Sequence, residues 1–265
     1  MATSTILDQI LESKRRELAR QKRERSLSEM ERRAKETPLP LNLSGALLGP
    51  GVRLIAEAKK ASPSRGLLSP SYDPAALART YAQNGAAAIS VLTEADHFQG
   101  SLEHLAQVKE AVRAAGLPVL RKDFIFDPYQ VYQARAFGAD ALLLIVAMLA
   151  PSQLRELLEA AQSIWVQTLV EVHSEAEMEA ALDAGAEIIG INHRDLKTFQ
   201  MDMGLAERLR PLIPKGKVVV AESGIQNKQD VARMKKAGVN AVLVGEALVT
   251  APDVAAKVRE LAGVQ

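Results

Sequence analysis

Cysteine is absent from the 265 residues, which excludes disulfides, zinc–thiolate sites and a thiol nucleophile. Aromatic residues are scarce, at 4%, so the core has to be built from Ala, Val, Leu and Ile. An excess of either charge is also missing. The 33 Lys and Arg against 32 Asp and Glu leave a formal net charge of +1. No global field draws in nucleic acid or an anionic membrane, and neither partner is expected. An anionic small molecule would be held by local charge and backbone donors. The longest apolar run, Ala141 to Ala150, is too short to span a bilayer. The N-terminal stretch has no apolar core of signal-peptide length, because charge enters at Asp8. A cytoplasmic location is therefore expected, with a monomer as the simplest assembly.

What is present is 48% hydrophobic and 25% charged residues, enough for a large core in a globular chain. The length suits one (β/α)8 barrel or two small domains. From about residue 50, short apolar runs alternate with helical patterns. The runs are Arg53–Ala58, Ala87–Leu92, Pro118–Leu120, Ala141–Ala147, Trp165–Val172, Glu187–Ile191, Lys217–Ala221 and Ala241–Val244. Eight strands alternating with helices predict an α/β fold with a parallel sheet. Gly85, Gly138, Gly185 and Gly238 each follow a helical segment and precede a strand, where glycine caps a helix C-terminus. Pro74, Pro128, Pro151 and Pro252 are expected to open helices. No G-x-G-x-x-G follows the first strand, so a Rossmann sheet is disfavoured against a closed (β/α)8 TIM barrel.

Residues 1–45 differ from the rest. Ile6, Leu7, Ile10, Leu11 and Leu18 recur at helical spacing among Lys, Arg and Glu. This predicts an N-terminal helical extension packed on a catalytic barrel of residues 46–265. The basic run Lys14–Arg25 is interrupted by Glu17 and Glu24 and has no aromatics, which favours a solvated helix face over a nucleic-acid arm.

In such barrels the chemistry sits at the C-terminal ends of the strands. Strand residues of equal parity share a face. The first strand then puts Glu57 beside Lys59, and the third puts Lys122 beside Phe124. The fifth, sixth and seventh end in Glu171, Asn192 and Glu222. A single charge at a strand end is ordinarily solvated, but convergence of two lysines, three glutamates and an amide on one rim suits acid–base catalysis. Such a lysine is expected to have its pKa lowered by burial and neighbouring ammonium groups, against the pull of the glutamates. The glycine-containing turns Ser223-Gly224 and Gly245-Glu246 can serve a tight turn or bind phosphate through backbone N–H groups. His97, His104, His173 and His193 lack metal-ligand spacing, so neither a metal nor another cofactor is expected.

These residues lie in motifs that carry a family resemblance. Ile55-Ala56-Glu57-Ala58-Lys59-Lys60-Ala61-Ser62-Pro63-Ser64 resembles the first-strand signature of indole-3-glycerol-phosphate synthases. Ser90-Val91-Leu92-Thr93-Glu94, Phe98-Gln99-Gly100-Ser101 and Leu120-Arg121-Lys122-Asp123-Phe124 follow in order. So do Leu169-Val170-Glu171-Val172-His173, Gly190-Ile191-Asn192 with Arg194-Asp195-Leu196, and Ala221-Glu222-Ser223-Gly224-Ile225. The resemblance spans nearly the whole chain and implies closure of an indole ring with loss of carbon dioxide and water. It makes Lys122 the general acid, and gives Glu171 a role in the later dehydration, with Lys59 as the alternative acid. Glu57 and Asn192 would orient reacting groups, and Glu222 the ribulose-derived hydroxyls. Lys59, Ser223, Gly224, Gly245 and Glu246 fall to the phosphate, and Ser62, Phe124 and Arg194 to substrate contact. Phe98 and Leu196 would enclose the aromatic ring.

Three departures from the family pattern stand out. His193 replaces a frequent asparagine and should point away from Asn192. Glu246 replaces a small hydroxyl residue near the phosphate, so only its backbone N–H should face inward. The aromatic usual near Leu41–Gly45 is missing. Among alternatives, phosphoribosylanthranilate isomerase would want a cysteine after the first strand. The tryptophan synthase α subunit is a second phosphate-binding barrel, and a non-catalytic barrel should have lost one of Lys59, Lys122, Glu171 or Glu222.

Overall fold

The computed structural model describes residues 5–196 and 198–264. The outer limits of the two predicted segments, residues 1–4 and Gln265, lie outside them. Among the described residues, eight strands form the sheet: β1 (Arg53–Ala58), β2 (Ala88–Leu92), β3 (Val119–Lys122) and β4 (Ala141–Ile145) in the first half. The second half supplies β5 (Gln167–Val172), β6 (Ile188–Asn192), β7 (Val218–Glu222) and β8 (Ala241–Val244). Each strand pairs in parallel with the next and β8 returns to β1, closing a (β/α)8 barrel.

Alternation along the strands divides the core in two. Outward residues such as Leu54, Ile89, Leu144, Val170 and Val219 pack under the surrounding helices. Inward residues such as Ile55, Leu120, Leu143, Leu169 and Val220 fill the barrel. The barrel interior is thus a packed core up to the level where charged side chains begin.

The helical extension consists of α1 (Ile6–Glu24), α2 (Leu27–Glu36) and the single turn α3 (Leu43–Ala46). Thr5 and Asp8 form a reciprocal capping box at the start of α1, and Ser26 caps α2. Leu7 and Ile10 join the inward cluster from one end of the barrel, Leu43 and Leu47 from the other. Leu18 and Met30 pack on Tyr129 of α6 (Pro128–Ala136). Lys14, only 3% exposed, lies 3.0 Å from Asp123. Asp123 also accepts from Arg121 at 2.9 Å and from the Thr93 hydroxyl at 2.6 Å. A buried, hydrogen-bonded ion cluster therefore anchors α1 directly after β3.

The glycine joins are as expected: Gly85, Gly138, Gly185 and Gly238 have φ between 81° and 100°. Pro74, Pro128 and Pro151 open α4 (Pro74–Gln83), α6 and α7 (Pro151–Ser163). Pro252 does not open a helix. Asp253 caps α12 (Val254–Ala262) by accepting from the Ala256 amide, which leaves the proline outside. Trp165 is not in a strand either. It is 76% exposed with φ 63° in the turn before β5, and Val146–Met148 forms a 3-10 turn instead of prolonging β4.

Candidate active site

All fifteen residues singled out for chemistry or substrate contact line one cavity of about 380 Å³ at the C-terminal mouth of the barrel. They arrive there by strand register. Glu57 pairs with Ser90 across β1 and β2, Glu171 with Gly190 across β5 and β6, and Asn192 with Glu222 across β6 and β7. Each is the last or next-to-last inward residue of its strand. Two glycines make room for them. A Cβ on Gly190 would overlap the Glu222 carboxylate, and one on Gly245 would overlap Glu57 and Lys59.

The charged groups form two sets. Lys59 Nζ lies 2.7 Å from Glu57 Oε1. Lys122 Nζ lies 3.5 Å from Glu171 Oε2 and 3.5 Å from Glu222 Oε2. Both glutamates are 1% exposed. Burial alone would lower the Lys122 pKa, but Glu171, Glu222 and Glu57 outweigh it and hold Lys122 above the usual lysine range. The expected lowering is thus reversed: three carboxylates within reach stabilise the ammonium more than burial destabilises it.

The two glutamates diverge in their protonation. Burial raises the Glu222 carboxyl, the Glu171 charge raises it further, and it is pushed up to about 8 against the pull of Lys122. Burial opposes ionisation of Glu171 as well. Lys122, His173 and a hydrogen bond with Asn192 nevertheless hold it below the usual carboxylate range. Asn192 also accepts the Arg194 amide at 3.0 Å through Oδ1, which fixes its orientation. Among the described residues, Glu171 Oε2 and both Glu222 oxygens have no hydrogen-bond partner, the Lys122 ammonium standing off from Glu171 Oε2 and Glu222 Oε2 at ion-pair distance. Buried acceptors in this state are available to a ligand.

The sequence departures have local outcomes. His193 points out of the barrel as expected, and its Nδ1 meets the Ser223 carbonyl at 3.0 Å. It braces a turn in which Ser223 and Gly224 both have positive φ, 64° and 78°. Glu246 begins the short helix α11 (Glu246–Val249), and its carboxylate pairs with Arg65 at 2.8 Å. Phe98 and Phe124 have ring centroids 6.3 Å apart on the apolar wall. Ile6, Leu7 and Ile10 of α1 also line the cavity. They were legible only as an amphipathic stripe, without an assignment to the pocket. Arg65 was not singled out, and His173 was weighed only as a metal ligand and as the last residue of the Glu171 motif, without a role in the site. For His173 a signal existed, since it stands two residues after Glu171, the spacing that places Lys59 beside Glu57.

Fold and site together define a (β/α)8-barrel enzyme with ionisable groups gathered at the C-terminal ends of its strands. The family model for indole-3-glycerol phosphate synthase matches residues 7–261. An indole-3-glycerol phosphate synthase of Dehalococcoides mccartyi is 52% identical over 257 residues, covering 97% of this chain and 99% of that protein. One from Roseiflexus is 51% identical, with 98% of each chain covered. A thiamine phosphate pyrophosphorylase structure from Pyrococcus furiosus superposes with a TM-score of 0.63 at 21% identity, over 83% of this chain and 96% of that one. That likeness concerns the fold alone. The chain belongs to the indole-3-glycerol phosphate synthase family. It is a carboxy-lyase of tryptophan biosynthesis, converting 1-(2-carboxyphenylamino)-1-deoxyribulose 5-phosphate to indole-3-glycerol phosphate, carbon dioxide and water. No described helix is long and apolar enough to cross a membrane.

Proposed function

We propose that ring closure runs by acid–base catalysis on the Lys122–Glu171–Glu222 cluster. The observation that carries this reading is the position of one ammonium 3.5 Å from each of two buried carboxylates. The substrate carbonyl oxygen takes a proton from Lys122, and the aromatic ring carbon attacks the activated carbonyl carbon. Loss of carbon dioxide returns the electron pair to the ring. Expulsion of the remaining hydroxyl as water then needs one acid and one base. Glu171 is the base, and Lys122 again the nearest acid, with Lys59 as its alternative.

Lys122 is protonated in the resting site and so has a proton to give when the substrate binds, and Glu222, which holds a proton at neutral pH, can return one between turnovers. Glu222, protonated at neutral pH, donates to or accepts from the ribulose-derived hydroxyls. Glu57 and Asn192 orient these groups. The phosphate lies against Lys59 and the Ser223-Gly224 and Gly245-Glu246 turns. Support comes from the short helix that starts at Glu246, whose first amides favour an anion, and from Arg65, which pairs with the Glu246 carboxylate and offsets its charge. Ser62 and Arg194 contact the substrate's polar groups. The aromatic ring fits among Phe98, Phe124 and Leu196 on the apolar wall.

Purified protein given the ribulose phosphate substrate should develop indole fluorescence. Lys122→Met should bind a phosphorylated product analogue about as well as the parent while turnover falls about 10²–10⁴-fold. Unchanged turnover in a folded variant would remove Lys122 from the reaction.

A further inference from the structure

Two buried carboxylates stand in nearly equivalent relation to Lys122. Glu171 and Glu222 are each 1% exposed and each 3.5 Å from its Nζ. A ring closure followed by dehydration needs them unlike, one ionised as a base and the other able to hold a proton. Nothing in the distances to Lys122 distinguishes them. The difference lies behind Glu171, outside the cavity. His173, two residues further along the same face, puts Nε2 3.3 Å from Glu171 Oε1. The contact is a close approach and not an aligned hydrogen bond: among the described residues that nitrogen, though buried, has no hydrogen-bond partner.

The imidazole is itself held from behind. Glu177, in the first turn of α8 (Glu175–Asp183), lies with Oε2 3.2 Å from His173 Nδ1, and the same oxygen accepts the His173 backbone amide at 2.7 Å. The Glu177 amide donates in turn to the Ser174 hydroxyl of the helix cap. The result is a line of groups, Glu171–His173–Glu177, with side-chain exposure rising from 1% to 7% to 25%. A carboxylate behind an imidazole fixes its tautomer and orientation and favours its charged form.

We propose that His173, oriented by Glu177, is a positioning residue that decides which of the two buried glutamates is the ionised base. Its charge beside Oε1 holds Glu171 as a carboxylate, with Oε2 turned toward Lys122. Glu222 has no such partner and keeps the proton. The electrostatics agree. Burial opposes the imidazolium, yet Glu171 and Glu177 together raise His173 to about 10. The titratable groups facing Glu171 are then Lys122 from β3, Glu222 from β7 and His173 just beyond the end of its own strand. Those facing Glu222 are Glu171, Lys122, Glu57 and the more distant His173. The proposal rests on Glu171 being the base, so both residues must be varied.

The test compares kcat and KM across pH 4–9 for the parent, Glu171→Gln, His173→Ala, His173→Gln and Glu177→Gln. Loss of a neighbouring charge that shifts the base by one pKa unit corresponds to about tenfold. His173→Ala should lose about that factor in kcat at neutral pH with KM little changed. Its acid limb should move to higher pH, because Glu171 without the neighbouring cation becomes easier to protonate. Exogenous imidazole should restore part of the rate. His173→Gln keeps a donor but not the charge and should fall between the two, and Glu177→Gln should shift the limb the same way by less. A folded His173→Ala whose pH profile overlays the parent, or which raises KM alone, would overturn the proposal. If Glu171→Gln retains full activity, the assignment of Glu171 as base fails instead, and the two failures are distinct.

Discussion

Three carboxylates face Lys122, and that number decides its chemistry. A lysine in an apolar pocket loses its proton near neutrality; this one keeps it, because Glu171, Glu222 and Glu57 together outweigh burial. The same cluster makes Glu222 a liability to the folded state. In the unfolded chain it ionises above about pH 4, whereas in the barrel it stays protonated up to about 8. Between those values the native state binds the extra proton, so stability falls as pH rises through the window. Glu222→Gln should abolish that slope. Urea midpoints at pH 5 and pH 8 should fall for the parent relative to the variant, by up to about 1.4 kcal/mol per pKa unit. Equal pH dependence of the two proteins would show that Glu222 is already ionised. Strand parity made the membership of this cluster legible, since Glu57, Lys59, Lys122, Glu171, Asn192 and Glu222 all fall on inward positions. It could not give the sign of the Lys122 shift. That depends on how many carboxylates from different strands lie within a few ångströms, which is a property of register and barrel closure.

At the scale of elements, the strand–helix alternation and the glycine joins could be read from the sequence because each is a local rule of periodicity or backbone conformation. Pro252 and Trp165 were misplaced for the same reason: Asp253 is the better cap, and the Gln162–Trp165 turn ends α7 before β5 begins. The docking of α1 was only half legible. Its apolar stripe predicts a packed face, but Lys14 looks like one more solvated cation in a basic run. In the structure Lys14 is buried against Asp123, with Arg121 and Thr93 completing the cluster. Removing one partner from a buried ion pair leaves the other uncompensated. Lys14→Met should destabilise the protein by about 3 kcal/mol, read as a lowered urea midpoint at neutral pH. The effect should carry a pH signature. Burial opposes the Asp123 charge, but Lys14 and Arg121 hold its carboxyl well below the usual range. The stability this provides is present above about pH 4 and is lost as pH falls toward the native value. The gap between parent and variant should therefore narrow on acidification below about pH 4. A gap that stays constant with pH would mean the lysine acts through packing alone.

The whole molecule has one interior with two different ends. The inward cluster begins at Leu43 and Leu47, which close the barrel beside Gln167 where β5 starts, with Ser44 donating to the Gln167 side chain at 3.0 Å. It finishes at Leu7 and Ile10, which belong to the same cluster but also form the wall of the cavity. A single N-terminal segment thus reaches both mouths, α1 at the catalytic end and α3 at the opposite one. That arrangement could not be read from composition or from either stripe of residues, because it depends on how the segment between them runs past α6. It also separates stability from function along one axis. In barrels the C-terminal face carries chemistry and the N-terminal face carries stability. Leu47, fully buried, should cost about 2–5 kcal/mol when changed to Ala and leave kcat and KM at 25 °C unaltered. Ile10→Ala removes apolar surface from the wall of the cavity proposed to receive the substrate's ring. It should raise KM by about tenfold, on the scale of two buried methylene groups, and also cost stability, because Ile10 is itself only 3% exposed. Paired denaturation and steady-state measurements on the two variants read this separation directly. If Leu47→Ala raised KM as much as Ile10→Ala does, the barrel would be transmitting strain along its interior, and its two ends could not be treated as independent.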